Sequence, residues 1–252
     1  MKKKFSLLCV VLMSTCLMWA DREEDHAKTV DRVNDAGTII DEIMSAPDAS
    51  IPNEVIDSAK CIAVVPSLLK GGLGLGAAYG KGVATCHTDK GWSAPAFFSI
   101  KGGSFGLQIG GEAVDLIMLI MNDHGMKALL SSKFKLGADG SAAAGPVGRH
   151  AEASTDWKMR AEVLTYSRAR GVFAGISING AVISQHKDDT RAFYGRMVPF
   201  RTILAGNIEA PADAQQFLTI VAKYTGTWKP GATPTPPPPS AAPAAAPTSD
   251  QR

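Results

Sequence analysis

The segment "KGGLGLGAAYGKG", Lys70 to Gly82, places glycine at 71, 72, 74, 76, 80 and 82, directly after the apolar run "CIAVVPSLL". Glycine at that density rules out a stable helix, since each one costs about 1 kcal/mol relative to alanine in a helix interior. Two structures remain. One is a loop that cradles phosphate between a strand and a helix; the other is a strand left bare on one face.

The phosphate loop fails on spacing. A Walker loop needs G-x-x-x-x-G-K-[ST], so that backbone amides, lysine and hydroxyl act together. Gly80-Lys81 supplies the pair, but Leu75 stands where the first glycine belongs and Gly82 where the hydroxyl belongs. Gly72, Gly74 and Ala77 fit the dinucleotide pattern G-x-G-x-x-[GA], yet that pattern requires a helix opening at the loop. The adjoining "AAYGKGVATCH" alternates like a strand through Tyr79, Val83 and Thr85. A strand therefore explains the segment, with Leu73, Leu75, Ala77, Tyr79 and Lys81 on one face and Gly72, Gly74, Gly76 and Gly80 on the other. A bare strand face allows close approach of another element or a sharp bend of the sheet. No cofactor is expected here.

Around this segment the order is helix, strands, helix. Val30, Val33, Ile40 and Ile43 recur at helical spacing before Pro47, and Gly37 weakens the middle of that helix. Pro52 opens a short helix with Val55 and Ile56 inward. Strand patterns then run from Cys61 to about Met121, with turns expected at Asp89-Lys90-Gly91 and at Gly102-Gly103. Asn122 or Asp123 is expected to cap "HGMKALLSS", and strands resume in "FKLGADGSAAAGPVG" and "AEVLTYSRARGVFAGISINGAVISQ". Asn179-Gly180 reads as a hairpin turn or as a bulge. Asp188 or Asp189 is expected to cap a helix through Tyr194, and Pro211 opens a last amphipathic helix with Phe217, Leu218 and Val221 on one face. The fold class is α+β: a curved, mostly antiparallel, barrel-like glycine-rich sheet flanked by N- and C-terminal amphipathic helices.

The ends differ from the middle. "MKKKFSLLCVVLMSTCLMWA" joins a basic start to a short apolar run, the pattern of an export signal over residues 1–20. Ala20 suits plain cleavage, and Cys16 in "MSTC" is the alternative, as a lipidation site. Residues 229–252 hold more than half of the chain's 15 prolines and read as an extended polyproline tail, either a spacer or a ligand for a proline-reading partner. Residues 21–228 are left as one domain. Without Lys2, Lys3 and Lys4 the 26 basic residues no longer exceed the 24 acidic ones, so no gross charge directs the domain to nucleic acid. Cys61 and Cys86 both flank apolar strands, where single buried thiols are common; an oxidising compartment would also permit a bridge between them.

Catalytic patterns are thin. His26, His87, His124, His150 and His186 lie apart, with no neighbour at metal-ligand spacing. Gly102-Gly103-Ser104-Phe105-Gly106 fits G-x-S-x-G, but a nucleophile elbow sits between strand and helix, and "FGLQIGGEAV" continues as strand. Asp115, inside "AVDLIMLIM", is expected to accept hydrogen bonds from backbone or from an arginine, with Arg149, Arg168, Arg170, Arg191, Arg196 and Arg201 as candidates. No catalytic or metal-binding residue is assigned, and the chain is not read as an enzyme. Ser104 carries the one hydrolase alternative.

"CIAVVPSLLKGGLGLGAAYGKGVA", "GWSAPAFFSIKGGSFGLQIGGEAVDLIMLIMNDHGMKALL", "FKLGADGSAAAGPVGR" and "RARGVFAGISINGAVISQHKDDTRAFYG" together closely resemble the SYLF domain family, from about Thr29 to Tyr224. The resemblance implies a non-catalytic module. Eukaryotic members bind phosphoinositides with help from an N-terminal amphipathic helix, fungal members are also known for actin binding, and bacterial relatives are exported.

Joined to the export signal, the resemblance suggests a bacterial member held in the periplasm or cell envelope, lipid-anchored if Cys16 is modified. Phospholipid or a membrane surface is then the expected partner, with Lys70, Lys81, Lys101, Arg149, Arg168 and Arg170 as candidate anion contacts. An interaction module docking an envelope protein is the alternative, and actin is not expected. One feature points away from membrane binding. Arg22, Lys28 and Arg32 are outnumbered along the first helix by Glu23, Glu24, Asp25, Asp31, Asp35, Asp41 and Glu42, whereas membrane-lying helices carry basic polar faces. Packing of its apolar stripe on the sheet accounts for this helix without a membrane.

Overall fold

A computed structural model describes residues 2–46, 50–131, 133–139, 141–147, 161–169, 172–175 and 180–226. Two strands dominate it. β1 (Cys61–Thr88) is 28 residues long and β3 (Ala96–Ile120) 25, against about 5–6 for an ordinary strand. They pair antiparallel from Cys61↔Ile120 to Ala84↔Ala96, joined through the short β2 (Gly91–Trp92) at the Asp89-Lys90-Gly91 turn.

A ribbon of that length stays compact only by folding back on itself. Its register shifts between Val65 and Leu68 and again between Leu73 and Leu75. At the first shift Pro66 has no amide to give the ladder, and Ser67 takes a left-handed φ of 56°. Glycine makes the return possible. A Cβ at Gly80 would lie 2.5 Å from Val65 Cγ1, and one at Gly82 would lie 2.7 Å from Phe98 Cζ and 2.8 Å from Val65 Cγ2. The end of β1 thus returns against its own start, where the His87 amide donates to the Lys60 carbonyl at 2.8 Å and Cys61 is disulfide-bonded to Cys86.

The remaining strands complete a curved, mostly antiparallel half-barrel. β6 (Val163–Ala169) pairs with β3 at Asp115–Ile120, and β8 (Val182–Gln185) pairs with β3 at Phe98–Lys101. β4 (Lys133–Lys135) adds to β8; β5 (Ala142–Ala144, parallel) and β7 (Val172–Gly175) add to β6.

Period-2 alternation sends side chains to both faces, and both faces are covered. Ile62, Val64, Phe97, Ile117 and Leu119 meet α1 (Lys2–Met44), α2 (Asn53–Asp57) and α6 (Gln215–Tyr224) through Val33, Ile40, Val55, Phe217 and Val221. Cys61, Ala63, Val65, Phe98 and Leu116 meet Leu129 of α3 (Asp123–Leu130) and Phe200, Ile203 and Leu204 of α5 (Phe200–Leu204). Burial on both sides explains why "CIAVV" and "LIMLI" are continuously apolar. Gly37 lets α1 approach α6 closely, since a Cβ there would stand 3.1 Å from Ile220 Cδ1.

Several expectations change. Gly102-Gly103 is not a turn but lies within β3, paired with Ala78 and Ala77. Gly180 turns with φ 85° and donates its amide to Leu136, but β7 pairs with β6 and β8 with β3 and β4. The choice between a hairpin turn and a bulge rests on residues 176–179, which lie outside the described residues. His186, not an aspartate, caps α4 (Lys187–Tyr194), its ring accepting from the Asp189 amide at 3.2 Å. Of the two residues expected to cap α3, Asn122 does so, accepting from the Gly125 amide. Asn179 and the proline-rich tail lie outside the described residues.

Candidate functional site

Two exposed large apolar side chains lie on the folded ribbon. Gly80 packs on Leu68, so Leu69 and Tyr79, each one residue further along its leg, leave the core at the same level. Leu69 is 57% exposed and Tyr79 41%, the two most exposed large apolar residues among those described. Lys101, the register partner of Tyr79, holds its ammonium 5.6 Å from that ring, a cation–π contact. Lys70 stands in register with Glu112. The ribbon thus carries an aromatic ring with a lysine over it, and beside them on the other leg Leu69 and Lys70, whose side chains alternate between its two faces.

The other expected anion contacts are used differently. Lys81 donates to Asp189 at 3.1 Å, and Arg32 of α1 donates to the other oxygen of the same carboxylate at 2.6 Å. Burial opposes charge on Asp189, but His186, Arg32 and Lys81 outweigh it and hold the carboxyl below its ordinary range. Arg168 bridges Asp115 and Glu42: its Nη2 and Nε donate to Asp115 Oδ2 at 2.8 and 3.1 Å, and its Nη1 to the Glu42 carboxylate. The Ser67 amide donates to Asp115 Oδ1 at 3.1 Å, tying the strained bend of β1 to the same cluster. These ions clamp α1 and α4 to the sheet. Arg149 and Arg170 lie outside the described residues.

A second feature lies where the β1–β2 turn meets α6. His87, Asp89, Trp92, Gln215, Leu218 and Gly226 line an open groove of about 410 Å³. The His87 and Trp92 rings are tilted against each other, 4.9 Å between centroids, and burial lowers the affinity of the imidazole for a proton. The Trp92 indole donates to Thr225 Oγ1 at 2.9 Å across a sequence separation of 133. No local sequence signal announces such a groove. Trp92 lies in a turn and Leu218 on a helix, and only the fold brings them together.

The serine alternative lacks its geometry. The Ser104 backbone is paired with Gly76 inside β3, so the strand-to-helix turn of a nucleophile elbow is missing. Among the described residues no group of three His, Cys, Asp or Glu is placed to hold a metal ion.

Known proteins bear on these surfaces. Residues 101–224 match the Ysc84 family model, described as "Las17-binding protein actin regulator". The chain is 34% identical to the "SH3 domain-containing YSC84-like protein 1" of Rattus norvegicus over 187 residues, covering 73% of this chain and 55% of the relative. The Homo sapiens protein of the same name is 33% identical over 187 residues, with 54% of its length covered. The "LAS seventeen-binding protein 3" of Saccharomyces cerevisiae is 30% identical over 187 residues, with 40% covered. Over residues 101–224, just under half of its length, the chain is thus similar to the Ysc84 family. It spans about half the length of the mammalian relatives it matches.

The Ysc84 match agrees with the SYLF resemblance and corrects what was joined to it. The similar proteins are mammalian and fungal, and the family description names an actin regulator, against the expectation of a bacterial, exported, periplasmic or envelope-bound lipid binder for which actin is not an expected partner. The basic and apolar start that suggested export forms the beginning of α1, which runs from Lys2 to Met44. No described helix is long and apolar enough to cross a membrane. Cys16 lies within α1, and its lipidation was tied to the export reading. The apolar stripe of α1 from Val33 to Ile43 is occupied by the sheet and α6, so that part of the helix is not a free membrane face.

Proposed function

We propose that this chain is a non-catalytic SYLF-type module of actin regulation, and that it docks a protein partner through the folded β1–β3 ribbon. The observation that carries the reading is the match of residues 101–224 to a family described as a Las17-binding actin regulator. The ribbon supports it physically. Leu69 and Tyr79 supply apolar anchor area, and Lys70 and Lys101 give the rim a positive charge suited to an acidic protein surface.

Co-sedimentation of the full chain with actin filaments, alongside pull-down by purified Las17, tests the reading. The full chain is expected to bind at least one of the two, more tightly at low salt. Lys70→Glu with Lys101→Glu is expected to weaken that binding about tenfold or more, since rim charges set encounter and complementarity. Failure to bind either target at low salt overturns the function. Binding that ignores the lysine substitutions overturns the surface.

A further inference from the structure

The groove between the β1–β2 turn and α6 is independent of the actin reading, and three observations converge on its occupant. The first is its lining. Trp92, His87 and Leu218 form an aromatic and aliphatic floor, and Asp89 stands exposed at its edge. Aromatic-lined grooves are the usual receptors for proline-rich segments, whose extended left-handed helix forms without a partner and so loses little entropy on docking.

The second is where the described chain leaves the fold. Thr225 is buried, accepts from the Trp92 indole and donates to the Val221 carbonyl at 2.8 Å. Gly226 then turns with a left-handed φ of 52°, close against Asp57 of α2, and itself lines the groove. The chain is thus delivered into the groove in a fixed direction.

The third is the sequence beyond Gly226. Residues 227–239 read "TWKPGATPTPPPP", and Lys229 is the one charged residue between Lys223 and Asp250. A lysine three residues beyond Gly226 is within reach of a groove edged by an aspartate. At about 3.1 Å per residue, a polyproline segment starting at Gly226 has ample length to line the whole groove.

We infer that the Trp92–Leu218 groove is an intramolecular receptor for the proline-rich segment 227–239, with Lys229 paired to Asp89. Docking in this way covers the exposed face of α6 and keeps the tail from proline-reading partners until something displaces it.

Nuclear magnetic resonance of the isotopically labelled full chain tests this. The expected result is a set of nuclear Overhauser contacts between the ring protons of Trp92 and proline δ protons of the tail, unchanged on tenfold dilution. Replacing Pro230, Pro234 and Pro236 with serine is expected to shift the Trp92 indole and Leu218 methyl signals. Lys229→Glu is expected to shift the same signals, and adding Asp89→Lys to restore them. The tail substitutions replace none of the described core residues, so they remain informative if the Asp89 variant does not fold. Groove signals that do not respond to the tail substitutions overturn the inference, as do contacts that vanish on dilution, which would place the tail of one copy in the groove of another.

Discussion

Gly82 lies directly against Val64, eighteen residues earlier in the same strand, at the point where the β1–β3 ribbon closes on itself. A Cβ at position 82 would overlap the Val64 carbonyl oxygen and press on Phe98 and Val65 side chains. At Gly80 a Cβ would meet chiefly the side chains of Val65 and Leu68, whose ends can shift. Backbone cannot yield as side chains do. Gly82→Ala is therefore expected to destabilise by about 1–3 kcal/mol or more, and Gly80→Ala by less. Urea unfolding monitored by circular dichroism checks both, and equal, negligible losses would contradict the close approach.

Arg168 ties three elements through Asp115 of β3 and Glu42 of α1. Its side chain is 24% exposed and that of Asp115 19%, so this pair is only partly screened by water, whereas Glu42 is 53% exposed. Asp115→Ala also strips the acceptor from the Ser67 amide at the left-handed bend. A loss of about 1–3 kcal/mol is expected, the usual range for hydrogen bonds to charged groups. In a double-mutant cycle with Arg168→Ala the two losses should be less than additive. Additive losses would show that the bridge contributes little.

The legible parts of this fold were local. Helical spacing in α1, Pro52 before α2, and the Asp89-Lys90-Gly91 turn all leave marks within a few residues. Gly102-Gly103 misled because glycine marks both turns and close approaches, and the choice depends on a partner strand far away. Lys81 and Arg168 read as anion contacts for the same reason, although Arg168 also stood among the arginines expected to partner Asp115 and does so. Their carboxylates, Asp189 and Asp115, are 108 and 53 residues distant, and no spacing rule reports such a pair. The exposed Leu69 and Tyr79 were also invisible, since alternation assigns a face but not what covers it.

The disulfide offers a direct probe of closure. Cys61 and Cys86 stand near the two ends of β1, 25 residues apart, and both are fully buried. Cross-linking a loop of that length restricts the unfolded chain by about 3 kcal/mol on the entropy account. Cys61→Ala with Cys86→Ala is expected to lower the unfolding free energy by about 2–4 kcal/mol while leaving the far-ultraviolet spectrum unchanged. A double variant as stable as the wild type under non-reducing conditions would mean that the ladder alone closes the strand.

Asp189 gives the fold a dependence on acid. Its side chain is 11% exposed, and it receives Arg32 from α1 and Lys81 from β1 while its own helix is capped by His186. Burial works against ionisation, but these partners prevail and the folded-state pKa lies below the ordinary value. An aspartate lowered in this way stabilises fully above its unfolded pKa of about 3.9, and the contribution is lost as pH falls through the lower folded value. The unfolding midpoint of the wild type should therefore fall more steeply below about pH 4 than that of Asp189→Asn. At neutral pH the variant should be the weaker of the two by about 3–5 kcal/mol, because Arg32 and Lys81 lose their partner in a largely buried site. Urea titrations of both proteins between neutral pH and acid measure the two curves. Parallel curves would remove Asp189 as the source of the acid dependence; convergence in acid would place the clamp between α1, β1 and α4 on this one carboxylate.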